Sequence, residues 1–115
     1  MKTEYRIWVN SMHRRRRGQR GRFPIQPNIK EHPMARRLNP EPLVDDRPLY
    51  LDLAEAETLR LVDLEGLYQE QAGSVMGVSR GTIWRLLVSA RQKVVQSIYE
   101  GRPLVIGLPD NPDED

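Results

Sequence analysis

From Pro48 to Gly101 apolar residues recur at regular intervals, whereas the 47 residues before them sustain no period of either 2 or 3.6. "PLYLDL" begins as a short strand and runs into a helix start, with Asp52 as N-cap and Glu55 three residues on as the other half of a capping box. The first helix is predicted from Leu53 to about Asp63. It places Ala56, Leu59 and Val62, flanked by Leu53 and Leu61, on one buried stripe, and Gly66 breaks it. A second helix starts near Tyr68 and presents Tyr68, Ala72, Val75 and Met76 at i, i+4, i+7 and i+8. Gly77 supplies the left-handed residue that ends this helix, and Ser79 is a good N-cap for the next. The third helix carries Ile83, Leu87, Ala90, Val94 and Ile98 as one apolar stripe, with Leu86 as a further anchor. It stops at Gly101, and Pro103 prevents continuation. "PLVIG" after it is a second short strand, placed to pair with "PLYL".

A helix, a three-residue turn and a helix, with Val78 in the turn and the small Gly73 where two steeply crossing helices meet, is the pattern of a helix-turn-helix. The expected fold is all-α: a tri-helical helix-turn-helix domain over residues 48–107. A basic, proline-containing arm and linker over residues 1–47, with Pro24, Pro27, Pro33, Pro40 and Pro42, is expected to be largely disordered, as is an acidic tail over residues 108–115. A core of about 60 residues is marginal alone, and dimerisation would help it.

Composition removes several classes of chemistry. The chain has no cysteine, and its two histidines, His13 and His32, are far apart in polar sequence, so disulfides, thiolate catalysis and a Cys/His zinc site are excluded. No apolar run approaches the roughly 20 residues of a membrane span, and "MKTEYRIWVNSMH" lacks the apolar centre of a secretory signal, so a cytoplasmic protein with no membrane partner is expected. Glu55, Glu57, Asp63, Glu65 and Glu70 are expected on helix exteriors, without a partner histidine or a glycine-rich phosphate loop. Neither enzymatic activity nor a cofactor or metal is expected. "DNPDED" lacks the spacing of a calcium loop and reads as a solubilising tail.

The net charge is only +2, but it is segregated. Residues 1–40 hold 11 basic against 2 acidic side chains, 41–70 hold 2 against 9, 71–103 hold 5 against 1, and the last twelve hold four acidic and no basic ones. Basic blocks of this kind suit a polyanionic partner. On the third helix, Arg80, Gly81, Trp84, Arg85 and Val88 are the positions not used for packing. The start of such a helix, capped at Ser79, is the part that enters a DNA major groove. Arginine there can pair with guanine O6 and N7 or with phosphate, and amides left accessible by Gly81 can bind phosphate oxygens. Trp84 would equally suit a core margin or a dimer seam. Arg91 and Lys93, more than two turns in, would touch phosphate or nothing. The run Arg14, Arg15, Arg16 and Arg17 suits a minor groove, the phosphate backbone or non-specific adhesion.

The stretch Glu55–Ile106, above all "LRLVDLEGLYQEQAG" and "MGVSRGTIWRLL", resembles the uncharacterised prokaryotic family called domain of unknown function 134. These are small predicted DNA-binding proteins whose helix-turn-helix is similar to region 4 of sigma factors, a winged-helix-like class. "HRRRRGQRGR" resembles the family's basic N-terminus more loosely. "MKTEYRIWVNS" departs from it, so that Met12 reads as a candidate start. Tyr68 and Gly73 also depart from the sigma-like pattern, which favours Ser or Thr and Ala at those places. The residues and the resemblance together lead to the expectation of a sequence-specific, double-stranded DNA-binding protein that acts as a transcription regulator or nucleoid-associated factor, and the small size of one helix-turn-helix, which reads only a few base pairs, calls for a homodimer or an RNA polymerase partner. Two alternatives stand beside it: a sigma-like module that docks on RNA polymerase, and an RNA-binding protein that works through its basic arm.

Overall fold

Asp52 and Glu55 start the first helix by bonding to each other's backbone. The Glu55 N–H donates to Asp52 Oδ1 at 2.8 Å and the Asp52 N–H to Glu55 Oε1 at 2.9 Å, which satisfies two donors that a helix start leaves unpaired. The computed structural model describes residues 26–107. Helix α1 (Leu53–Leu59) runs into a π-helical turn, Arg60–Leu64. After Gly66, at φ 80°, comes α2 (Gln69–Met76), and then α3 (Arg80–Glu100). Gly77, at φ 72°, ends α2, and Ser79 caps α3 by accepting from the Thr82 N–H at 3.0 Å. These starts and stops lie where glycine and capping chemistry predict them.

Two apolar clusters hold the fold. Ala54, Leu61, Ala72, Met76, Ile83 and Leu86 join the three helices. Leu51, Ala90 and Leu104, with Ala56, Leu59, Val94 and Ile106 packed around them, join the second half of α3 to a small sheet. Ala56 and Leu59 are therefore only half-buried, because α1 packs on two sides and divides its apolar residues between the clusters.

The sheet corrects the all-α expectation: the protein is mostly helical, with three short strands. β1 (Arg37–Leu38), β2 (Leu49–Leu51) and β3 (Leu104–Ile106) lie in the order β1-β3-β2. β3 is antiparallel to β1 and parallel to β2, with Leu49 opposite Leu104 and Leu51 opposite Ile106. The pairing of "PLYL" with "PLVIG" is thus present.

The expectation of disorder up to residue 47 is corrected for residues 26–47. The Asn28 N–H donates to the Met76 carbonyl at 2.8 Å, and the Val44 and Asp45 N–H groups donate to the Gly101 carbonyl at 3.0 and 3.1 Å. Helix ends leave carbonyls without intrahelical partners, and the segment without periodicity is held by meeting them. The expectations for residues 1–25 and 108–115 lie outside the described residues.

Two apolar assignments are also corrected. Tyr68 is 75% exposed because it stands outside α2 as its N-cap, its N–H bonded to Gln71 Oε1 at 2.8 Å. Ile98 is 68% exposed because the sheet covers α3 only as far as Val94 on that stripe.

Candidate nucleic-acid interface

The first turns of α3 are fixed from below and open from above. Ile83, Leu86, Leu87 and Ala90 are buried, which leaves Arg80, Gly81, Trp84, Arg85 and Val88 exposed on one face. Ser79 is exposed beside them, but its hydroxyl is engaged. The oxygen accepts from the Thr82 N–H, and its proton is donated to Thr82 Oγ1 at 3.0 Å. Ser79 thus sets the helix start. Gly81 leaves open space at this end of the helix: a Cβ built there would meet only Ser79 Oγ, at 3.8 Å, although the Thr82 amide is already held by that oxygen.

Arg80 and Arg85 have no carboxylate within ion-pairing distance among the described residues. Arg85 makes one long bond, from Nη2 to Thr82 Oγ1 at 3.5 Å. Two guanidinium groups therefore stand near the positive end of a helix dipole with no anion among the described residues to balance them. Trp84 and Val88 lie between and beyond them, 55% and 42% exposed.

Arg91 lies further along the same helix and is occupied. Its guanidinium grips Asp63 in the π-helical turn, Nη2 to Oδ1 at 2.7 Å and Nε to Oδ2 at 3.1 Å. The hydrogen bonds from Arg91 hold the Asp63 carboxyl below the usual aspartate range and raise the Arg91 pKa in turn. Arg14, Arg15, Arg16 and Arg17 lie outside the described residues.

Lys93 does not face the surface for a phosphate. Its Nζ reaches Glu55 Oε1 and Oε2 at 2.9 and 3.0 Å and the Tyr50 carbonyl at 2.7 Å. Glu55 also accepts from Ser89 Oγ at 2.5 Å. This corrects the expectation that Glu55 and Glu57 lie on a helix exterior. Both are buried, and Glu57 accepts from Arg60 Nη2 at 2.8 Å and from the Lys30 N–H at 2.9 Å. Burial raises the Glu57 pKa, but the bonds from Arg60 and Lys30 outweigh it, and the net shift is downward. Buried carboxylates persist only when paired in this way. Of the acidic positions named from the sequence, Asp63, Glu65 and Glu70 remain exposed.

Asn28 is the residue near this face that sequence reasoning missed. Besides its backbone bond to Met76, its Nδ2 donates to the Val75 carbonyl at 3.4 Å, and it lies against Gly77. It ties the N-terminal segment to the turn between α2 and α3. Its only signal in the sequence is an asparagine in a proline-containing run.

Among the described residues no group of three potential metal ligands occurs, and no helix is long and apolar enough to cross a membrane. The fold and its exposed basic face define a small, mostly helical protein built on two helices joined by a three-residue turn. The chain belongs to the family described as "Protein of unknown function DUF134", whose model matches residues 12–110. It is similar to a UPF0251 protein of Thermococcus kodakarensis, 49% identical over 84 residues that cover 73% of this chain and 63% of that protein. Another, from Pyrococcus furiosus, is 63% identical over 59 residues, 51% of this chain and 55% of the relative. The chain thus spans less than two thirds of these relatives' length. A UPF0251 protein of Archaeoglobus fulgidus is 43% identical over 96 residues, 83% of this chain and 91% of the relative. No solved structure matches the chain significantly.

Proposed function

We propose that this protein binds double-stranded DNA by inserting the start of α3 into the major groove, and that it regulates transcription in this way. The observation that carries the reading is the face formed by Arg80, Gly81, Trp84 and Arg85. It is exposed and basic, it has no anion of its own among the described residues, and it stands on a helix locked from behind by Ile83 and Leu86. A recognition helix has to be rigid in the protein and unoccupied on its outer side. The backbone amides of Arg80 and Gly81, the Thr82 amide being held by Ser79, and the two arginines supply donors for phosphate and for guanine edges.

The tie at Asn28 supports a composite site. It brings the N-terminal segment to the turn before α3, and we assign the basic residues that precede it in sequence to the phosphates flanking the groove. One helix-turn-helix reads few base pairs, so sequence selectivity calls for a homodimer on two half-sites or for a partner such as RNA polymerase.

The test is titration of duplex DNA, single strands and RNA with the wild-type protein and the Arg80→Ala/Arg85→Ala variant at several salt concentrations. The reading expects a preference for duplex DNA, a steep salt dependence and loss of affinity in a variant that still folds. Full affinity and base preference in the folded double variant would remove the groove assignment and favour docking on a protein.

A further inference from the structure

The recognition face has an apolar centre that the fold does not use. Trp84 and Val88 are one helical turn apart on the same side of α3, 55% and 42% exposed. The core beneath them is already completed by Ile83, Leu86, Leu87 and Ala90. Around the pair, the exposed positions of the first three turns are Arg80, Gly81 and Arg85. Each side chain on such a strip demands a different partner: the arginines suit acceptors, and the indole and the isopropyl group suit carbon.

The major groove offers acceptors and donors on every base pair, but it has one apolar group, the C5-methyl of thymine. We infer that Trp84 and Val88 form a thymine-reading strip, so that the preferred site carries thymine where α3 passes its second and third turns. This inference rests on the proposed DNA binding and adds the base to it. Trp84 would cover one methyl with its ring, and Val88, a turn further into the helix, a neighbouring one. Arg80, one turn before Trp84, and Arg85, next to it, hold the helix in the groove, so the apolar pair acts on selectivity more than on attraction.

Deoxyuridine tests this directly, since it differs from thymidine only by that methyl. A preferred duplex is selected from a randomised pool, and each thymine in it is replaced in turn. The expected result is a loss of about fourfold per contacted methyl, the ratio that corresponds to burying one carbon group, at one or two adjacent positions. Trp84→Gln and Val88→Ser should each bind the thymine duplex less well and lose the penalty for uracil at one of these positions, with unchanged circular dichroism. A wild-type protein that binds its selected site and ignores uracil everywhere overturns the strip while leaving DNA binding in place. A selected site without thymine there does the same. A folded protein that retains no duplex from the pool overturns the DNA-binding reading, and the strip with it.

Discussion

Gly73 and Val78 approach so closely that a Cβ at residue 73 would lie 2.7 Å from the Val78 carbonyl oxygen, while the Val78 N–H donates to the Gly73 carbonyl at 3.0 Å. The turn between α2 and α3 is thus folded back onto the helix that precedes it. Alanine, which the sigma-like pattern favours here, would gain about 1 kcal/mol of helix propensity over glycine. It would also force a backbone oxygen to move, and overpacking of this kind costs about 1 to 3 kcal/mol. Gly73→Ala should therefore lower stability despite its better propensity. A melting temperature equal to or above wild type would show that the turn yields without cost.

Asp52 gives the protein a pH dependence. Burial, and then the negative charge of Glu55, push its carboxyl up to about 7, against the opposing effects of the Glu55 and Ala54 N–H groups and of the charge on Lys93. The folded protein holds this proton more tightly than the unfolded chain does. The contribution is therefore fully present below the ordinary aspartate range and is lost as pH rises through about 7. Asp52→Asn keeps a good N-cap and removes the titration. The stability of the variant relative to wild type should rise between about pH 4 and about pH 8, and denaturation midpoints across that range measure it. Glu57 and Asp63, whose pKa values are lowered, act at the acid end and are common to both proteins. A difference that stays flat with pH would refute the raised pKa of the buried Asp52.

The sequence made legible whatever depends on near neighbours. The capping pair Asp52 and Glu55, the stop at Gly77, the cap at Ser79 and the end at Gly101 are each specified within three or four residues. The outward positions of α3 follow from the period of its buried ones. The pairing of "PLYL" with "PLVIG" was also legible, but side-chain partnerships across the chain were not. The Lys93 ammonium meets Glu55 across 38 residues, the Lys30 backbone N–H meets Glu57 across 27, and on the surface Arg91 meets Asp63 across 28. Carboxylates that find such donors, as Glu55 and Glu57 do, can be buried, and one-dimensional patterning then assigns them to the surface. β1 was missed for a similar reason, since two residues carry no period and Arg37–Leu38 is a strand only because β3 lies beside it.

Gly81 separates folding from binding. A Cβ there meets nothing nearer than Ser79 Oγ at 3.8 Å, so Gly81→Ala should fold and gain up to about 1 kcal/mol of helix stability. The added methyl would stand over the first amides of α3. Duplex affinity should fall while the melting temperature holds or rises. Unchanged affinity would mean that phosphate does not approach this end of the helix.

Deleting residues 1–22 removes the basic run but leaves the Asn28 tie to Val75 and Met76 intact. If the run neutralises phosphates, binding to all duplexes should weaken alike. The slope of log affinity against log salt should fall by about 0.9 for each phosphate that is no longer neutralised. Base preference should survive, because α3 is untouched. Titrations at several salt concentrations decide this, and an unchanged slope would place the arm away from DNA.

Asp63 restrains a third arginine on the proposed face. Arg91 is half exposed, on the same helix as Arg80 and Arg85 and more than two turns in from its start, with its guanidinium bonded twice to the Asp63 carboxylate. While that pair holds, Arg91 is neutralised and turned toward the π-helical turn. Such a partly exposed pair contributes at most about 1 kcal/mol to stability, so breaking it should leave the fold intact. Asp63→Asn removes the anion and about one unit of repulsion toward a polyanion. Arg91 can then reach a phosphate, and duplex affinity should rise on every sequence alike, with the salt slope steeper by about 0.9. Arg91→Ala should change wild-type affinity little, because the side chain it removes is already engaged, but it should abolish the gain in the Asp63→Asn background. Measuring all four proteins at two salt concentrations completes the cycle. If Asp63→Asn gains as much with Arg91 removed as with it present, the effect is general charge, and Arg91 has no phosphate within reach.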